Sequence, residues 1–492
     1  MSTIAEALKH HRKPQSQMSR AADPRFPKTC IIGAGSSGIA AAKIFAESGI
    51  PFDCIEKSDR VGGNWVFKNK NEMSSAYRSL HINTSRDKMA YSDFPMPAQF
   101  PDFPHHLQIA QYFDSYVEHF GFRDRILFNT GVKRAELTTD GLWKIVFDSG
   151  EQRLYDALVV SNGHHWDARW PEPAFPGRFD GKQIHSHSYI DPYDPVSCVG
   201  RNVLVVGFGN SALDIACELG RKGVAKNVFL SQRRGYWVIP KYTAGQVLDA
   251  HSVHPSQDPP WWQRLLPHDV LRMLAERRLA ATAGRPEQYG LPQPDHPLLS
   301  THPAVSQELY LRVGSGDVKP KSNVKELRGR QVSFVDGSVE DIDVIIWSTG
   351  YKISFPFFEE GFISAPGNDI ALWKRMIDPR FANLFFIGLV QPLCAMMPIA
   401  EEQSRFVGRY LTGQYALPPV DVMNAERVEM FERLKANYVS TPRHTIQINC
   451  GEYTTDLRKE LARGRRRAES NQFALPIPPR VIRPTQKQAV DA

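Results

Sequence analysis

Three glycines and one carboxylate near the start of the chain have the types and spacing that bind a dinucleotide. Gly33, Gly35 and Gly38 form a GxGxxG pattern, and Glu56 follows 18 residues after the last of them. The first two glycines allow a tight turn and a close approach to a pyrophosphate, and the third lets a helix pack on a strand. A carboxylate at this distance accepts hydrogen bonds from ribose hydroxyls. This stretch therefore predicts a site for the ADP part of a dinucleotide.

A second glycine motif follows in RNVLVVGFGNSALDIACELG, where Gly207 and Gly209 recur and Ala212 replaces the third glycine. The next strand ends on Arg233 and Arg234 instead of on an acid. A carboxylate there would repel the 2′-phosphate of NADP(H), whereas a guanidinium would bind it. The second site is therefore predicted to prefer NADPH over NADH, and the first to take FAD. Together the two sites indicate hydride transfer from nicotinamide to flavin.

Both motifs require a buried β-strand, a turn, and a helix whose N-terminus points at the phosphates. The predicted fold is α/β, with two Rossmann-like dinucleotide-binding domains and the NADPH domain inserted into the FAD domain. The predicted limits are a polar N-terminal extension 1–26, a first FAD-binding segment 27–180, an NADPH-binding domain 181–325, a second FAD-binding segment 326–445, and a basic, proline-rich C-terminal extension 446–492. The aromatic stretch PPWWQRLLP, residues 259–267, is interpreted as core rather than as lining of a substrate route.

Composition narrows the class of protein further. The 492 residues are 42% hydrophobic and 23% charged, which is ordinary for a globular protein. The net charge of +7 comes without a run of six like charges, so nucleic-acid binding has little support. The longest apolar stretch, 384–400, is interrupted by proline and too short to span a bilayer. We therefore expect a soluble cytoplasmic protein without a membrane anchor, and the sequence leaves open whether it forms a homodimer.

The six cysteines are scattered and include no CxxC pair. This pattern suits a reducing compartment, with the cysteines acting as small buried apolar residues. It also argues strongly against a disulfide reductase, which needs a redox-active cysteine pair. No spacing of cysteine and histidine predicts a metal site.

Several short motifs resemble those of the flavin-containing monooxygenases. FDGKQIHSHSY fits their FxGxxxHxxxY fingerprint through Phe179, Gly181, His185 and Tyr189. GGNW, NTSRDKMAYSDFP and STGY resemble three further motifs, and the resemblance runs from about residue 28 to about residue 411. His185 is interpreted as a structural histidine at the domain hinge in preference to a general base.

The resemblance implies that NADPH reduces FAD and that the reduced flavin takes up O2 as a C4a-hydroperoxyflavin, while NADP+ stays bound. A small molecule with a nucleophilic nitrogen or sulfur, or an indole, would then be oxygenated. Baeyer–Villiger oxygenation of a ketone on the same scaffold is the second hypothesis, although tyrosine at Tyr189, where the related enzymes of the first type usually have tryptophan, argues against those enzymes. A non-catalytic dinucleotide-binding protein is the third.

The resemblance also assigns residues to the two cofactors. Asn83 aligns with the active-site asparagine of the family, although a turn asparagine that bonds its own backbone is the alternative. The residues expected to bind FAD are Gly33, Gly35, Ser36, Ser37, Gly38, Glu56, Lys57, Gly63, Asn64, Trp65, His81, Asn83, Thr84, Val132 and Gln391. Those expected to bind NADP(H) are Gly207, Gly209, Asn210, Ser211, Ala212, Arg233 and Arg234.

Overall fold

The computed structural model describes residues 19–258, 268–437 and 445–470. The predicted N-terminal extension is therefore seen only from residue 19, and the aromatic stretch 259–267 lies outside the described residues, as does the chain after residue 470. Within the described ranges, no helix combines the length and the apolar character that crossing a membrane requires.

The first sheet has five strands that pair in parallel, and most of their side chains are buried. In spatial order the strands are Leu384–Phe386, Ala157–Val160, Thr29–Ile32, Phe52–Ile55 and Ile126–Leu127. Parallel strands are covered on both faces, which explains why they are almost continuously apolar. Helix Ser36–Ser48 connects two of them and packs against helix Met396–Leu411.

The second sheet repeats this plan with five further parallel strands. In spatial order they are Lys182–His185, Val344–Trp347, Asn202–Val206, Asn227–Ser231 and Val318–Lys321. The chain thus builds part of the first sheet, then the second sheet, and then returns for edge strand Leu384–Phe386. The predicted architecture of two Rossmann-like units, one inserted into the other, is confirmed.

The position of strand Val344–Trp347 differs from the expected domain limits. We expected residues from 326 onward to belong to the FAD-binding domain, but this strand pairs with Lys182–His185 and Asn202–Val206. Its four residues are fully apolar and buried, so the interior of either sheet would suit them, and sequence pattern could not choose between the two. The second unit therefore extends beyond residue 325.

Two extended segments join the units. Asp167–Ala168 leaves the first unit and pairs in antiparallel fashion with Tyr351–Lys352, which returns from the second. The remaining sheets are Val132–Leu137 with Trp143–Phe147 and Gln152–Tyr155; Gly177–Phe179 with Val324–Gly329, Gln331–Phe334 and Val339–Asp341; Val238–Ile239 with Ala304–Val305; Tyr242–Thr243 with Gln246–Val247; and Gln391–Pro392 with Gln447–Ile448. The α-helices described are Ser36–Ser48, Arg86–Met89, His106–Phe120, Asn210–Leu219, His268–Ala283, Leu309–Gly314, Met396–Leu411, Val420–Asn437 and Cys450–Glu469.

The beginning of the predicted C-terminal extension is a packed part of the first unit. Strand Gln447–Ile448 pairs with Gln391–Pro392, and helix Cys450–Glu469 buries Tyr453 and Leu457 in the core of that unit. The basic composition of this segment suggested an appendage. The helix is amphipathic, however, and its few apolar residues share one face that the core covers.

The structure contains a disulfide, which corrects the expectation that all six cysteines are free. Cys394 and Cys450 form a disulfide across a sequence separation of 56 residues, while Cys30, Cys54, Cys198 and Cys217 are free and buried. The bond joins the chain just after strand Gln391–Pro392 to the start of helix Cys450–Glu469. Disulfides are typical of oxidising compartments, so the cysteine pattern does not support a reducing one.

Candidate functional site

A cavity of about 580 Å³ lies at the carboxyl ends of the strands of the first sheet. Gly33, Glu56, Ser161 and Gly388 each follow a different strand of that sheet, and all four line the cavity. The crevice outside the carboxyl ends of parallel strands is where such sheets bind their ligands. The cavity is therefore the candidate cofactor site.

This cavity brings together fourteen of the fifteen residues that the sequence assigned to FAD. They are Gly33, Gly35, Ser36, Ser37, Glu56, Lys57, Gly63, Asn64, Trp65, His81, Asn83, Thr84, Val132 and Gln391. Gly38 is the exception, because it lies buried beneath the turn. A Cβ atom there would stand 1.8 Å from the carbonyl oxygen of Gly33, so its role is the close packing of helix and strand.

Gly33 and Gly35 have different structural roles beside the cavity. Gly33 has a φ of 97°, and a Cβ atom there would lie 2.6 Å from the carbonyl oxygen of Ser161, so the turn itself requires glycine. A Cβ atom at Gly35 would be 3.7 Å from its nearest neighbour, the Cα of Gly63. Gly35 also begins helix Ser36–Ser48 without a side-chain cap. The uncapped N–H groups and the open space beside them fit a pyrophosphate.

Glu56 is 4% exposed and lies where the first two strands end. Its Oε2 accepts a 2.8 Å hydrogen bond from the backbone N–H of Ala34, and its Oε1 accepts a 2.7 Å bond from that of Ser58. Burial raises the pKa of Glu56, and these N–H donors oppose the increase. Each carboxylate oxygen has more than one lone pair, so the group can still accept bonds from ribose hydroxyls.

Asn83 lines the cavity with one amide atom unsatisfied. Its Oδ1 is buried and has no hydrogen-bond partner among the described residues. A buried polar atom of this kind needs a partner, and a bound cofactor would provide one. The turn-asparagine alternative is weaker, because that motif would occupy Oδ1 with a backbone N–H of the chain.

The second glycine motif adjoins the STGY segment, residues 348–351. Gly207 has a φ of 129°, and a Cβ atom there would lie 2.3 Å from the carbonyl oxygen of Ser348. Gly209 precedes helix Asn210–Leu219 without a side-chain cap, as Gly35 does in the first motif. Asn210, which was expected to contact NADP(H), accepts a 2.8 Å hydrogen bond at Oδ1 from the backbone N–H of Val305. Ser211 follows Asn210 in the first turn of this helix, and Ala212 is fully buried.

The two arginines at the end of the next strand have different surroundings. Arg234 donates to Asp295 from Nε at 2.9 Å and from Nη2 at 2.6 Å. Arg233 is exposed, and its side chain forms no hydrogen bond or ion pair within the described part of the chain. Arg233 is therefore the guanidinium that is available to a 2′-phosphate, and Arg234 is held by its carboxylate partner.

The four fingerprint residues contact each other or nearby segments of the second unit. A Cβ atom at Gly181 would lie 2.5 Å from the Phe179 ring. Nδ1 of His185 accepts a 3.1 Å hydrogen bond from the backbone N–H of His187 and so caps a short 3₁₀ turn. Burial lowers the pKa of His185 to about 4. Tyr189 donates a 2.8 Å hydrogen bond to Glu218, which lies on the helix of the second glycine motif.

One lining segment was missed by the sequence analysis. All six residues of 161–166, SNGHHW, line the cavity, and none of them was assigned to a site. The available signal was their position directly after the apolar strand ALVV, because ligands bind at the carboxyl ends of such strands. Met396 and Cys394 were missed as well, and both belong to the chain around the disulfide.

Comparisons with known proteins agree with this geometry. The flavin-binding monooxygenase-like family matches residues 27–465. Flavin-containing monooxygenase 5 of Oryctolagus cuniculus is 36% identical over 441 residues, which is 87% of this chain and 80% of the relative. Dimethylaniline monooxygenase (N-oxide-forming) 2 of Rattus norvegicus is 35% identical over 449 residues, with 88% and 82% covered. A solved structure of an oxidized steroid monooxygenase bound to NADP shares the fold, with a TM-score of 0.66 at 18% identity, covering 89% of this chain and 98% of that one.

Proposed function

Because the chain belongs to the flavin-binding monooxygenase-like family, we propose that it oxygenates a nucleophilic nitrogen or sulfur of a small molecule. The enzyme is an FAD- and NADPH-dependent monooxygenase with O2 as its co-substrate. A reduced flavin bound in this cavity would supply the oxygen-transfer chemistry. The residues of this chain bind the two cofactors, orient them and keep water away from the reacting atoms.

The observation that carries the proposal is the composition of the cavity at the first sheet. Residues from four strand ends and from the segment 63–84 meet around one space, although they are spread from residue 33 to residue 388. The helix N-terminus after Gly35 would hold the pyrophosphate, and Glu56 would hold the ribose hydroxyls. These groups match the diphosphate and the ribose of an ADP moiety.

Asn83 would act at the oxygen-transfer end of the cavity. Its amide can donate and accept hydrogen bonds but has no proton to release near neutral pH. A neutral group of this kind would bind the flavin and NADP+ by hydrogen bonds without delivering a proton to the reacting atoms. The buried, unpartnered Oδ1 of Asn83 supports this role.

Arg233 would select NADPH through its 2′-phosphate. The guanidinium is exposed at the carboxyl end of strand Asn227–Ser231, where the second sheet would bind its nucleotide. A charge-assisted bond to phosphate is stronger than a neutral one, so its loss should affect NADPH and leave NADH almost unaffected.

Oxygenation at nitrogen is supported by one relative in particular. The protein from Rattus norvegicus that is 35% identical carries N-oxide formation in its name. A tertiary aryl amine is therefore the first substrate to test, with a thioether and indole next. A cyclic ketone represents the Baeyer–Villiger alternative.

Rapid-mixing absorbance spectroscopy of the FAD-loaded enzyme with NADPH and O2 tests the proposal. We expect a long-lived oxygenated flavin spectrum that decays faster when the amine, the thioether or indole is added, with product formed in proportion. Conversion of the ketone to a lactone without N- or S-oxygenation would favour the alternative. A protein that binds no FAD, or that oxidises no NADPH when loaded, would overturn the proposal.

A further inference from the structure

The six residues 161–166, which we call the SNGHHW loop, form one continuous wall of the cofactor cavity. The loop is fastened at several points. The backbone N–H of Ser161 donates to the carbonyl of Ile32 at 2.9 Å, and Nδ2 of Asn162 donates to the carbonyl of Ser354 at 3.1 Å. Nε1 of Trp166 donates a 3.2 Å hydrogen bond to the carbonyl oxygen of Gly163, within the same loop. The start of the loop is therefore bonded to two neighbouring segments, and its last residue is bonded back to the loop itself.

Two polar atoms of the SNGHHW loop have no partner in the described part of the chain. The Oγ of Ser161 and the Nε2 of His164 are buried, and neither has a hydrogen-bond partner among the described residues. Leaving such an atom unbonded is costly, and native structures rarely do so. Both residues line the cavity, so a ligand that fills it is the candidate partner of these two atoms.

The surroundings of His164 favour the neutral imidazole. Burial and the neighbouring His165, whose ring centroid is 4.3 Å away, hold the pKa of His164 well below its ordinary value of 6.5. A neutral imidazole has one donor and one acceptor nitrogen, so it can bond a hydroxyl, a carbonyl or an amide of a ligand. It adds no charge to the cavity when it does so.

We propose that the SNGHHW loop recognises the dinucleotide bound in this cavity and that His164 hydrogen-bonds it through Nε2. The inference rests on the proposed function, since it requires a dinucleotide in the cavity. FAD is one source of the bonding group, because Ser161 adjoins the first glycine turn, 3.6 Å from a Cβ atom built on Gly38. NADP+ is the other source, because His302 of the second unit lines the same cavity. In this role His164 is a positioning residue.

The test replaces His164 by phenylalanine, which keeps a flat ring and removes both nitrogens, and by glutamine, which keeps hydrogen-bonding capacity. We expect His164→Phe to bind FAD in the apoprotein, or NADP+ in the FAD-loaded enzyme, about tenfold more weakly than the wild type. The denaturant concentration at the midpoint of unfolding should be unchanged or higher for the His164→Phe apoprotein, because an unsatisfied buried atom has been removed. His164→Gln should recover part of the lost affinity.

His254 provides the matched control. Both of its ring nitrogens are bonded within the protein, Nδ1 to the hydroxyl of Ser256 at 2.6 Å and Nε2 to the carbonyl of Ala90 at 3.0 Å. His254→Phe should therefore lower the unfolding midpoint and leave both cofactor affinities within twofold of the wild type.

Flavin fluorescence titration and denaturant unfolding of the apoprotein give the two readouts. Affinities for FAD and NADP+ that both stay within twofold in His164→Phe would overturn the inference while leaving the proposed function intact. A parallel loss of affinity and stability, without recovery in His164→Gln, would overturn it too and would indicate a structural histidine. Wild-type protein that binds no FAD would overturn the proposed function and this inference together.

Discussion

The backbone N–H of Ala34 donates a 2.8 Å hydrogen bond to Oε2 of Glu56. Ala34 belongs to the first glycine turn, and Glu56 directly follows strand Phe52–Ile55, so the two halves of the motif are bonded to each other. Glu56 therefore supports the turn in addition to its proposed contact with ribose. Replacing Glu56 would change both the fold of the turn and cofactor binding, so cleaner tests come from residues with a single role.

Gly35 and Gly38 are two residues that each have a single role, one in cofactor binding and the other in packing. Gly35→Ala should leave apoprotein stability within about 0.5 kcal/mol of the wild type, because its Cβ atom meets nothing closer than 3.7 Å, while FAD binds much more weakly. Gly38→Ala should lower the free energy of unfolding by about 1–3 kcal/mol, because its Cβ atom would stand 1.8 Å from a carbonyl oxygen. Denaturant unfolding and FAD titration of both variants distinguish the roles. Equal stability losses would contradict this assignment.

Arg233→Ala should raise the KM for NADPH about 10- to 100-fold and change the KM for NADH less than twofold, since only NADPH carries the 2′-phosphate. Steady-state kinetics with both nucleotides provides the measurement. Arg234→Ala is the control, because Arg234 is already paired with Asp295. If Arg234→Ala shows the larger NADPH effect, the roles of the two arginines are reversed.

Asn83→Ala should keep FAD bound but release more H2O2 and less product for each NADPH consumed. The reason is that the unpartnered Oδ1 of Asn83 is the atom we expect to face the cofactors. Asn71→Ala is the control, because Asn71 lines the same cavity beside Glu56 and should affect FAD affinity without changing coupling. Unchanged coupling in Asn83→Ala would count against its role.

His185 should make stability depend on pH. Burial lowers its pKa from 6.5 to about 4, so between these values the unfolded chain binds a proton that the native chain does not. The free energy of unfolding should therefore rise with pH across this window, by at most about 3 kcal/mol from this residue. His185→Gln should flatten the slope in denaturant unfolding at pH 4.5 and 7. The remaining slope would include His106, whose pKa is also lowered to about 4. An equally steep slope in the variant would show that His185 is not responsible.

Reduction of the Cys394–Cys450 disulfide should lower the free energy of unfolding by about 2–4 kcal/mol, because the bond closes a long loop that the reduced chain leaves open. Denaturant unfolding with and without a dithiol reductant measures the difference. Cys394→Ser should match the reduced wild type and be insensitive to the reductant. A wild type that shows no response to reduction would mean that the two cysteines are not bonded in solution.

Local sequence determined the fold class and identified most of the groups that meet in the cavity of the first sheet. The glycine turns depend on backbone geometry over a few residues, which permits only glycine at some positions. For that reason the sequence predicted both the turn at Gly33 and the close packing at Gly38. Glu56 and the arginine-terminated strand were identified from side-chain charge at a fixed distance from those turns.

Tertiary structure decided the features that depend on contacts between distant segments. Arg233 and Arg234 are adjacent and chemically identical. They differ because Asp295 forms an ion pair with Arg234 and leaves the guanidinium of Arg233 available. The same holds for strand Val344–Trp347, which could have completed either sheet, and for Cys394 and Cys450, which pair across 56 residues. The unpartnered Nε2 of His164 is also invisible in sequence, because an atom lacks a partner only relative to everything packed around it. Side-chain partners are set by packing, and packing is a property of the whole fold.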